Sequence, residues 1–136
     1  MGASQSKGIV GVGVDIIHVP RLVALLRRRP PNQFARRILS ETELARWNSI
    51  RTEEDAERTR YLAVRWSVKE AAYKALYPTA QPTWKQLSFY SPSKDGASKP
   101  TLVYHSDGPQ SRLWRFHTSV SHDGEYVMAT VIVESS

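Results

Sequence analysis

Three side chains that could act together on a phosphate recur at a regular spacing in the segment Arg65–Leu76. Trp66, Glu70 and Lys74 are four residues apart, so a helix here would place them in a row on one face. An aromatic ring, a carboxylate and an ammonium group make a poor core stripe, but they suit a metal-bound phosphate. A second carboxylate, Asp15, ends an alternating apolar segment near the N-terminus, where a strand could direct it to the same point.

The composition indicates one globular domain with excess positive charge. At 136 residues the chain can bury a single core, and its 40% hydrophobic content excludes a disordered chain. No apolar run approaches the length of a membrane-spanning helix, and zero cysteines exclude disulfides, thiolate metal ligands and thiol nucleophiles. The net charge of +6 favours an anionic partner, which could be a nucleic acid, an acidic protein or a phosphorylated small molecule. A solvated basic face is the alternative.

The first seven residues are predicted to be a flexible tail, followed by one domain over residues 8–136. The pattern from Met1-Gly2 to Ser6 also matches a short myristoylation signal, which chance often produces. Neither a signal-peptide core nor an arginine-rich presequence precedes Gly8, although a targeting peptide could have been removed.

The elements that must position these residues begin with a strand over residues 8–17, predicted from its alternating Val and Ile. Proline positions, apolar spacing and a capping-box pattern at Ser40 and Glu43 predict four helices. Three short helices are expected over about 20–28, 34–39 and 40–47. A long fourth helix ends before Pro78. The charged segment at 51–58 is either a loop or the start of this fourth helix.

The C-terminal half is predicted to consist of β-strands. Strands are expected over 86–90 and 101–104, and the clearest hairpin joins residues 114–121 to 126–133 around a turn at Asp123-Gly124. His122 would then lie at a strand end beside the turn. Helices mainly in the N-terminal half, followed by antiparallel strands, indicate the α+β class.

Three segments in this order resemble the 4'-phosphopantetheinyl transferases: Gly13–Ile17, Arg65–Leu76 and Ser119–His122. The Lys-Glu-Ala-x-x-Lys-Ala run within the second segment is specific when it is combined with the upstream aspartate. The short chain is similar to the holo-acyl-carrier-protein synthase type, and within it to small members from fungal mitochondria. The resemblance spans nearly the whole chain.

The resemblance implies a fold, an activity and an assembly. The expected fold is an antiparallel sheet with a long helix packed on it. The expected reaction, part of fatty acid biosynthesis, uses Mg²⁺ and transfers 4'-phosphopantetheine from coenzyme A to a serine of an apo acyl carrier protein, leaving 3',5'-ADP. The resemblance also implies a homotrimer with active sites between subunits. It implies neither a nucleic-acid partner nor a membrane span. A mitochondrial location is favoured over a cytoplasmic one.

The resemblance assigns the metal to Asp15 and Glu70, which match the family's ligand positions. Lys74 matches the lysine near the reacting phosphate, and Glu70, directly or through a metal-bound water, is the candidate base for the carrier serine. Taken alone, Asp15 could instead be a turn or helix N-terminal aspartate. Glu70 could also be an ion-pair partner of Lys74 at the i,i+4 spacing.

Coenzyme A binding is expected from positions that match the family pattern, namely Arg65, Trp66, Lys69, Lys74, Lys99, Ser121 and His122. Several of these residues have alternative roles: Trp66 in core packing, Lys69 as a surface lysine and His122 as a turn residue. The other histidines, His18, His105 and His117, are treated as structural.

Docking of the carrier protein is assigned to Arg21 and Arg28, which match family positions that meet its acidic helix. They are seven residues apart and would project from one side of the first helix, where plain solvation is the alternative.

Two departures from the family pattern concern backbone shape. Ser98-Lys99-Pro100 stands where the family often has Gly-Lys-Pro, and Tyr77-Pro78 replaces a glycine after the Lys-Ala run, which leaves the adenine pocket open to question. The rival hypothesis is a non-catalytic basic module that binds nucleic acid. It leaves the two carboxylates among the basic residues unexplained, because carboxylates repel phosphates unless a cation intervenes.

Overall fold

The computed structural model describes residues 7–93, 97–106 and 113–136 of the chain. In chain order the elements are β1 (Gly8–His18), α1 (Val19–Arg28), α2 (Pro31–Ile38), α3 (Glu41–Ser49), α4 (Asp55–Leu76), β2 (Leu87–Tyr90), β3 (Thr101–Tyr104), β4 (Trp114–Asp123) and β5 (Tyr126–Ser135), with a 3₁₀ turn at Trp84–Gln86 before β2. The predicted α+β class is confirmed. The division into a tail over residues 1–7 and a domain from residue 8 stays a prediction, because residues 1–6, including the myristoylation pattern at Gly2, lie outside the described residues.

The antiparallel strands are divided between two sheets. One has three strands in the order β1-β5-β4, and β2 pairs with β3 in the other. In the three-stranded sheet Asp15 of β1 pairs with Ala129 of β5, and His122 of β4 pairs with Val127 of β5. The two outer strands therefore carry predicted site residues on opposite sides of β5.

The predicted helices are present, and the largest difference is at the start of α2, which begins at Pro31 rather than near Phe34. Ser40 Oγ accepts a hydrogen bond from the Glu43 backbone N–H, and the Ser40 backbone N–H donates to Glu43 Oε1, so the capping box is present. The charged segment at 51–58 is a loop up to Glu54 and helix from Asp55, where α4 begins. None of the helices in the described ranges is long and apolar enough to cross a membrane.

Helix α4 lies unusually close to β1, and two glycines make this possible. A Cβ atom on Gly13 would lie 1.8 Å from the carbonyl oxygen of Ala71, and one on Gly11 would lie 1.8 Å from that of Ala75. Any side chain at these two strand positions would force the elements apart. The approach therefore depends on glycine in the strand and alanine in the helix.

Two groups of buried side chains form the core. Helices α1 to α3 close over the first half of α4, and the buried members there include Leu22, Ile38, Trp47 and Leu62. The second half of α4 packs on the sheets, with Val68, Ala71, Leu87, Val131 and Val133 among its buried members. Because α4 belongs to both groups, it carries the site residues Arg65 to Lys74 between them.

Candidate active site

Asp15, Glu70 and Lys74 form one cluster where β1 crosses α4. The Lys74 ammonium donates to the backbone oxygen of Val14 at 2.9 Å and lies 3.4 Å from Asp15 Oδ1. The Asp15 side chain is 16% exposed and that of Lys74 is 53% exposed, so the cluster lies at the surface with its aspartate mostly covered. The close approach at Gly13 brings this stretch of β1 to the turn of α4 that carries Glu70.

The two carboxyl groups of the cluster are costly to ionise. Burial raises the pKa of Asp15, and the neighbouring Lys74 lowers it in part. Burial also raises the pKa of Glu70, the charge of Asp15 raises it further, and Lys74 again opposes the shift. Two carboxylates therefore share one ammonium group, and a bound cation would relieve their repulsion.

This donor set fits Mg²⁺ better than a metal that needs a closed protein cage. Carboxylate oxygens are its preferred protein ligands, and Mg²⁺ usually keeps waters and binds substrate phosphates at its other positions. Within the described ranges no group of three or more His, Cys, Asp or Glu side chains is arranged to hold a metal. A site with two carboxylates and open positions agrees with that pattern.

Arg65 lies apart from the carboxylates in the same chain. It precedes Glu70 by five residues, which places it about 140° away around the helix. Its Nε donates to the backbone oxygen of Phe89 at 3.2 Å, and its guanidinium lies 3.9 Å from the Tyr61 ring centre. Burial lowers the pKa of Arg65, and burial raises the pKa of Tyr61 to about 12.

Trp66 has the core environment that the sequence analysis named as its alternative. Its ring stacks on Phe34 with centroids 5.3 Å apart and contacts Trp84 at 5.6 Å. The row of Trp66, Glu70 and Lys74 therefore divides along the helix. Its first member packs between α2 and the 3₁₀ turn, and the other two lie beside β1.

Lys69 requires a correction, since neither the surface position nor the coenzyme A contact expected for it agrees with the structure. Its side chain is 1% exposed. Its ammonium donates to Glu43 Oε1 at 2.6 Å, to the Ile38 oxygen at 2.7 Å and to the Trp84 oxygen at 2.9 Å. These bonds use all three of its N–H donors, so none is left for a phosphate. Burial lowers the pKa of Lys69, and Glu43 counteracts part of that shift.

The segment before β3 shows how a serine replaces the glycine of the family pattern. Ser98 has a negative φ, since no described residue other than glycine has a positive one. Its Oγ accepts from the Ser93 N–H at 3.0 Å and lies 3.1 Å from Ser91 Oγ, while its own N–H donates to Ser93 Oγ at 2.9 Å. Side-chain hydroxyls thus hold this segment, and Lys99 follows it with its side chain exposed.

Ser121 and His122 lie exposed at the far end of β4. His122 lines a cavity of about 820 Å³ between α1, the start of α4 and the β4–β5 turn, which Arg27 and Val127 also line. β5 separates these residues from Asp15. Arg21 and Arg28 are exposed on α1, as docking residues must be.

Sequence reasoning missed the partner of Lys69. Glu43 was recognised for its capping box, but its second role as a counter-ion joins residues 26 apart in the chain. No local pattern signals such a pair. The one available indication was that Lys69 follows Val68 in a helix that other elements must cover.

Comparison with known proteins places this chain in a family. The sequence model of the 4'-phosphopantetheinyl transferase superfamily matches residues 11–131. A holo-[acyl-carrier-protein] synthase from Polaromonas sp. is 39% identical over 134 residues, covering 94% of this chain and 98% of that protein. A provisionally named holo-[acyl-carrier-protein] synthase from Schizosaccharomyces pombe is 30% identical over 129 residues, covering 90% and 94%.

A solved structure is similar over the same length. The holo-(acyl-carrier-protein) synthase from Bacillus anthracis, crystallised in complex with CoA (3',5'-ADP), superimposes with a TM-score of 0.73 at 27% identity. The match covers 95% of this chain and 99% of the Bacillus chain.

Proposed function

The chain belongs to the 4'-phosphopantetheinyl transferase superfamily, and on that premise we propose that it acts as a holo-[acyl-carrier-protein] synthase. It transfers 4'-phosphopantetheine from coenzyme A to a serine of an apo acyl carrier protein and releases 3',5'-ADP. The matched relatives named above are synthases, and this chain covers nearly all of their length. The rival nucleic-acid module gains no comparable support.

The observation that carries this proposal is the cluster of Asp15, Glu70 and Lys74. Burial raises the pKa of both carboxyl groups, the charge of Asp15 raises that of Glu70 further, and the half-exposed ammonium of Lys74 lies beside them. Such an arrangement suits an anion that arrives together with a divalent cation. A pyrophosphate ester such as coenzyme A is an anion of this kind.

Asp15 and Glu70 would hold the Mg²⁺. When bound, the ion supplies positive charge to the pyrophosphate of coenzyme A and neutralises charge on the leaving group. Lys74 adds a second positive charge on the solvent side, where its side chain can reach a phosphate oxygen. In phosphoryl transfer most of the catalysis comes from such positioning and charge stabilisation.

Glu70 is the candidate proton acceptor. The carrier serine Oγ forms a bond to the β-phosphorus of coenzyme A, and the bond from that phosphorus to the bridging oxygen breaks. The bridging oxygen and its electron pair leave with 3',5'-ADP, and the serine proton passes to the Glu70 carboxylate. Glu70 shares its cluster with Lys74, the lysine expected near the reacting phosphate, which places its carboxylate close to the reacting groups.

The remaining coenzyme A residues lie on other surfaces, which supports a site shared between subunits. Arg65 and Lys99 belong to the region around β2 and β3, while Ser121 and His122 belong to the end of β4. One ligand could contact them together with Asp15 if neighbouring copies supplied different groups. A homotrimer with its sites at the interfaces meets that requirement.

An apolar sheet face supports the same assembly. Val12, Val14 and Ile16 alternate along one side of β1 and are 61%, 51% and 61% exposed. Met128 on β5 pairs with Ile16 on β1 and is also exposed. A contiguous apolar face of this kind usually marks a protein interface. A mitochondrial location remains our proposal from the fungal resemblance.

One experiment tests the activity directly. The chain is incubated with coenzyme A, Mg²⁺ and an apo acyl carrier protein, and the carrier is weighed by mass spectrometry. We expect the mass increment of one 4'-phosphopantetheine, and none in a carrier whose acceptor serine is replaced by alanine. Absence of the increment at every Mg²⁺ concentration with a bacterial and a fungal carrier would refute the proposal.

A further inference from the structure

The buried pair of Glu43 and Lys69 connects five parts of the fold. Of the ion pairs in the described ranges, it is the one whose two side chains are both buried, at 0% and 1% exposure. Through Lys69 it joins α4 to the end of α2 and to the 3₁₀ turn. Through Glu43 it joins α4 to the start of α3 and to β2, where the Phe89 N–H donates to Oε2 at 2.8 Å.

The pair is a complete hydrogen-bond network and not a simple ion pair. Glu43 Oε1 accepts from the Ser40 N–H at 2.9 Å and from Lys69 at 2.6 Å. Both backbone polar groups of Phe89 are engaged: its N–H donates to Glu43, and its oxygen accepts from Arg65. Removing either charged partner would leave several buried polar groups unpaired, so the network is expected to be rigid.

Helix α4 needs a feature that defines its rotation about its own axis. Buried positions occur on most of its circumference, and the face against the sheet is built from Ala71, Ala72 and Ala75. The small side chains on that face restrain rotation only weakly, whereas a buried polar pair with fixed partners permits one orientation. Buried polar residues are known to impose such specificity in other helical assemblies.

A small rotation would matter for the site. A carboxylate about 6 Å from the helix axis moves by about 1 Å when the helix turns by about 10°. Displacements of this size in a catalytic group reduce rates by roughly 10²-fold. Glu70 directly follows Lys69 in the chain. Arg65 lies one turn before Lys69, on nearly the same side of the helix as Lys69. Both would shift with the helix.

We propose that Glu43 and Lys69 are positioning residues for the transfer reaction, and that they fix the rotation of α4 so that Glu70 faces Asp15 and Arg65 stays against Phe89. This inference rests on the proposed function. It assigns Lys69 no contact with substrate. It predicts that the network affects metal binding and turnover beyond its effect on stability.

The test compares two variants that both weaken the fold. Glu43→Gln keeps one acceptor oxygen for Ser40 and Lys69 but places an amide NH₂ against the Phe89 N–H. Ile50→Ala removes buried volume from the core on the α3 side and takes away none of the hydrogen bonds of the network. Each is examined well below its melting temperature for Mn²⁺ binding in the absence of carrier, for kcat, and for KM of coenzyme A.

We expect both variants to melt at lower temperatures than the wild type. Ile50→Ala should keep wild-type kcat and Mn²⁺ affinity, whereas Glu43→Gln should lose at least tenfold in kcat and bind Mn²⁺ several-fold more weakly. Equal behaviour of the two variants would overturn the inference. Should Glu43→Gln not fold, Glu43→Asp is used instead, because it keeps the charge but is too short to hold both Ser40 and Phe89. A wild-type chain without transfer activity would instead refute the proposed function, and Mn²⁺ binding would still test the positioning.

Discussion

Asp15, Glu70 and Lys74 bring two negative charges and one positive charge to the place where β1 crosses α4. Burial raises the pKa of both carboxyl groups, and Lys74 offsets only part of that shift for each. Residues that bind a cation in this way make the protein less stable when the cation is absent. Enzymes commonly have functional sites that lower the stability of the fold.

The first prediction follows from this cost. Without divalent cations at pH 7, Asp15→Asn and Glu70→Gln should each stabilise the fold by about 1 kcal/mol, or about 4 °C in melting temperature, because each removes a carboxylate that is costly to ionise. Both variants should lose transfer activity. Thermal melts with and without Mg²⁺ check this, since Mg²⁺ should stabilise the wild type alone.

The pH dependence of the same melts has a definite sign. Because the folded-state pKa values of Asp15 and Glu70 are raised, the folded chain binds more protons than the unfolded chain between the ordinary and the raised values. The contribution of these groups to stability therefore falls as pH rises through that window. The double variant Asp15→Asn/Glu70→Gln should lack this component. An unchanged slope in the double variant would contradict the assignment.

A second prediction at this scale concerns Lys74. Its ammonium is half exposed and close to Asp15, so we expect it to stabilise charge on the reacting phosphate. Lys74→Ala should reduce kcat by about 10²-fold, similar to the loss of one charge-stabilising donor elsewhere, while KM for coenzyme A changes little. Steady-state kinetics measure both constants, with Lys7→Ala as an exposed control. A change in KM alone would assign Lys74 to binding.

The elements show which parts of this protein can be predicted from sequence. Strand alternation, prolines and the Ser40–Glu43 capping box predict nearly every helix and strand, because these signals act over a few residues. Helical spacing also predicts that Glu70 and Lys74 share a face, and both lie beside β1. Spacing cannot show which neighbour covers each face, so it placed Trp66 with them and left Lys69 at the surface. Those environments depend on Phe34 and Glu43, which are distant in the chain.

The close approach of β1 to α4 leads to the third prediction. Gly13→Ala would place a Cβ atom 1.8 Å from the Ala71 oxygen, so the strand must move away from the helix and carry Asp15 with it. We expect a loss of about 1–3 kcal/mol in stability and a large loss of transfer activity. Gly124→Ala is the control, because its Cβ meets no atom within 4 Å while its positive φ still costs stability. Retained activity in Gly13→Ala would show that the approach does not set the site.

At the scale of the whole molecule, the exposed apolar face of β1 should be covered in solution. The fourth prediction is that Val12→Glu converts the proposed trimer to monomers, because it places like charges together at the interface and exposes them to an apolar environment. Light scattering coupled to size-exclusion chromatography measures the mass, with Gln33→Glu on the exposed face of α2 as the control. Transfer activity should fall with the trimer. A wild-type monomer with full activity would contradict a shared site.

Six exposed arginines lie on α1, on α2 and between them: Arg21, Arg27, Arg28, Arg29, Arg36 and Arg37. Complementary charge mainly accelerates the encounter of partners and sets their orientation, and salt weakens this effect. Two pairs within this group can be compared directly. Arg21 and Arg28 lie on one side of α1, and Arg36 and Arg37 lie on α2.

The last prediction compares Arg21→Glu/Arg28→Glu with Arg36→Glu/Arg37→Glu. Each double variant changes the net charge equally, so a general attraction would be weakened equally by both. If the α1 pair docks the acidic helix of the carrier, its reversal should raise KM for the carrier at least tenfold, leave KM for coenzyme A unchanged, and flatten the salt dependence of the rate. Transfer rates against carrier concentration at two ionic strengths measure all three effects. A larger effect from the α2 pair would move the docking surface to α2, and equal effects would reduce the arginines to a general attraction for an acidic partner.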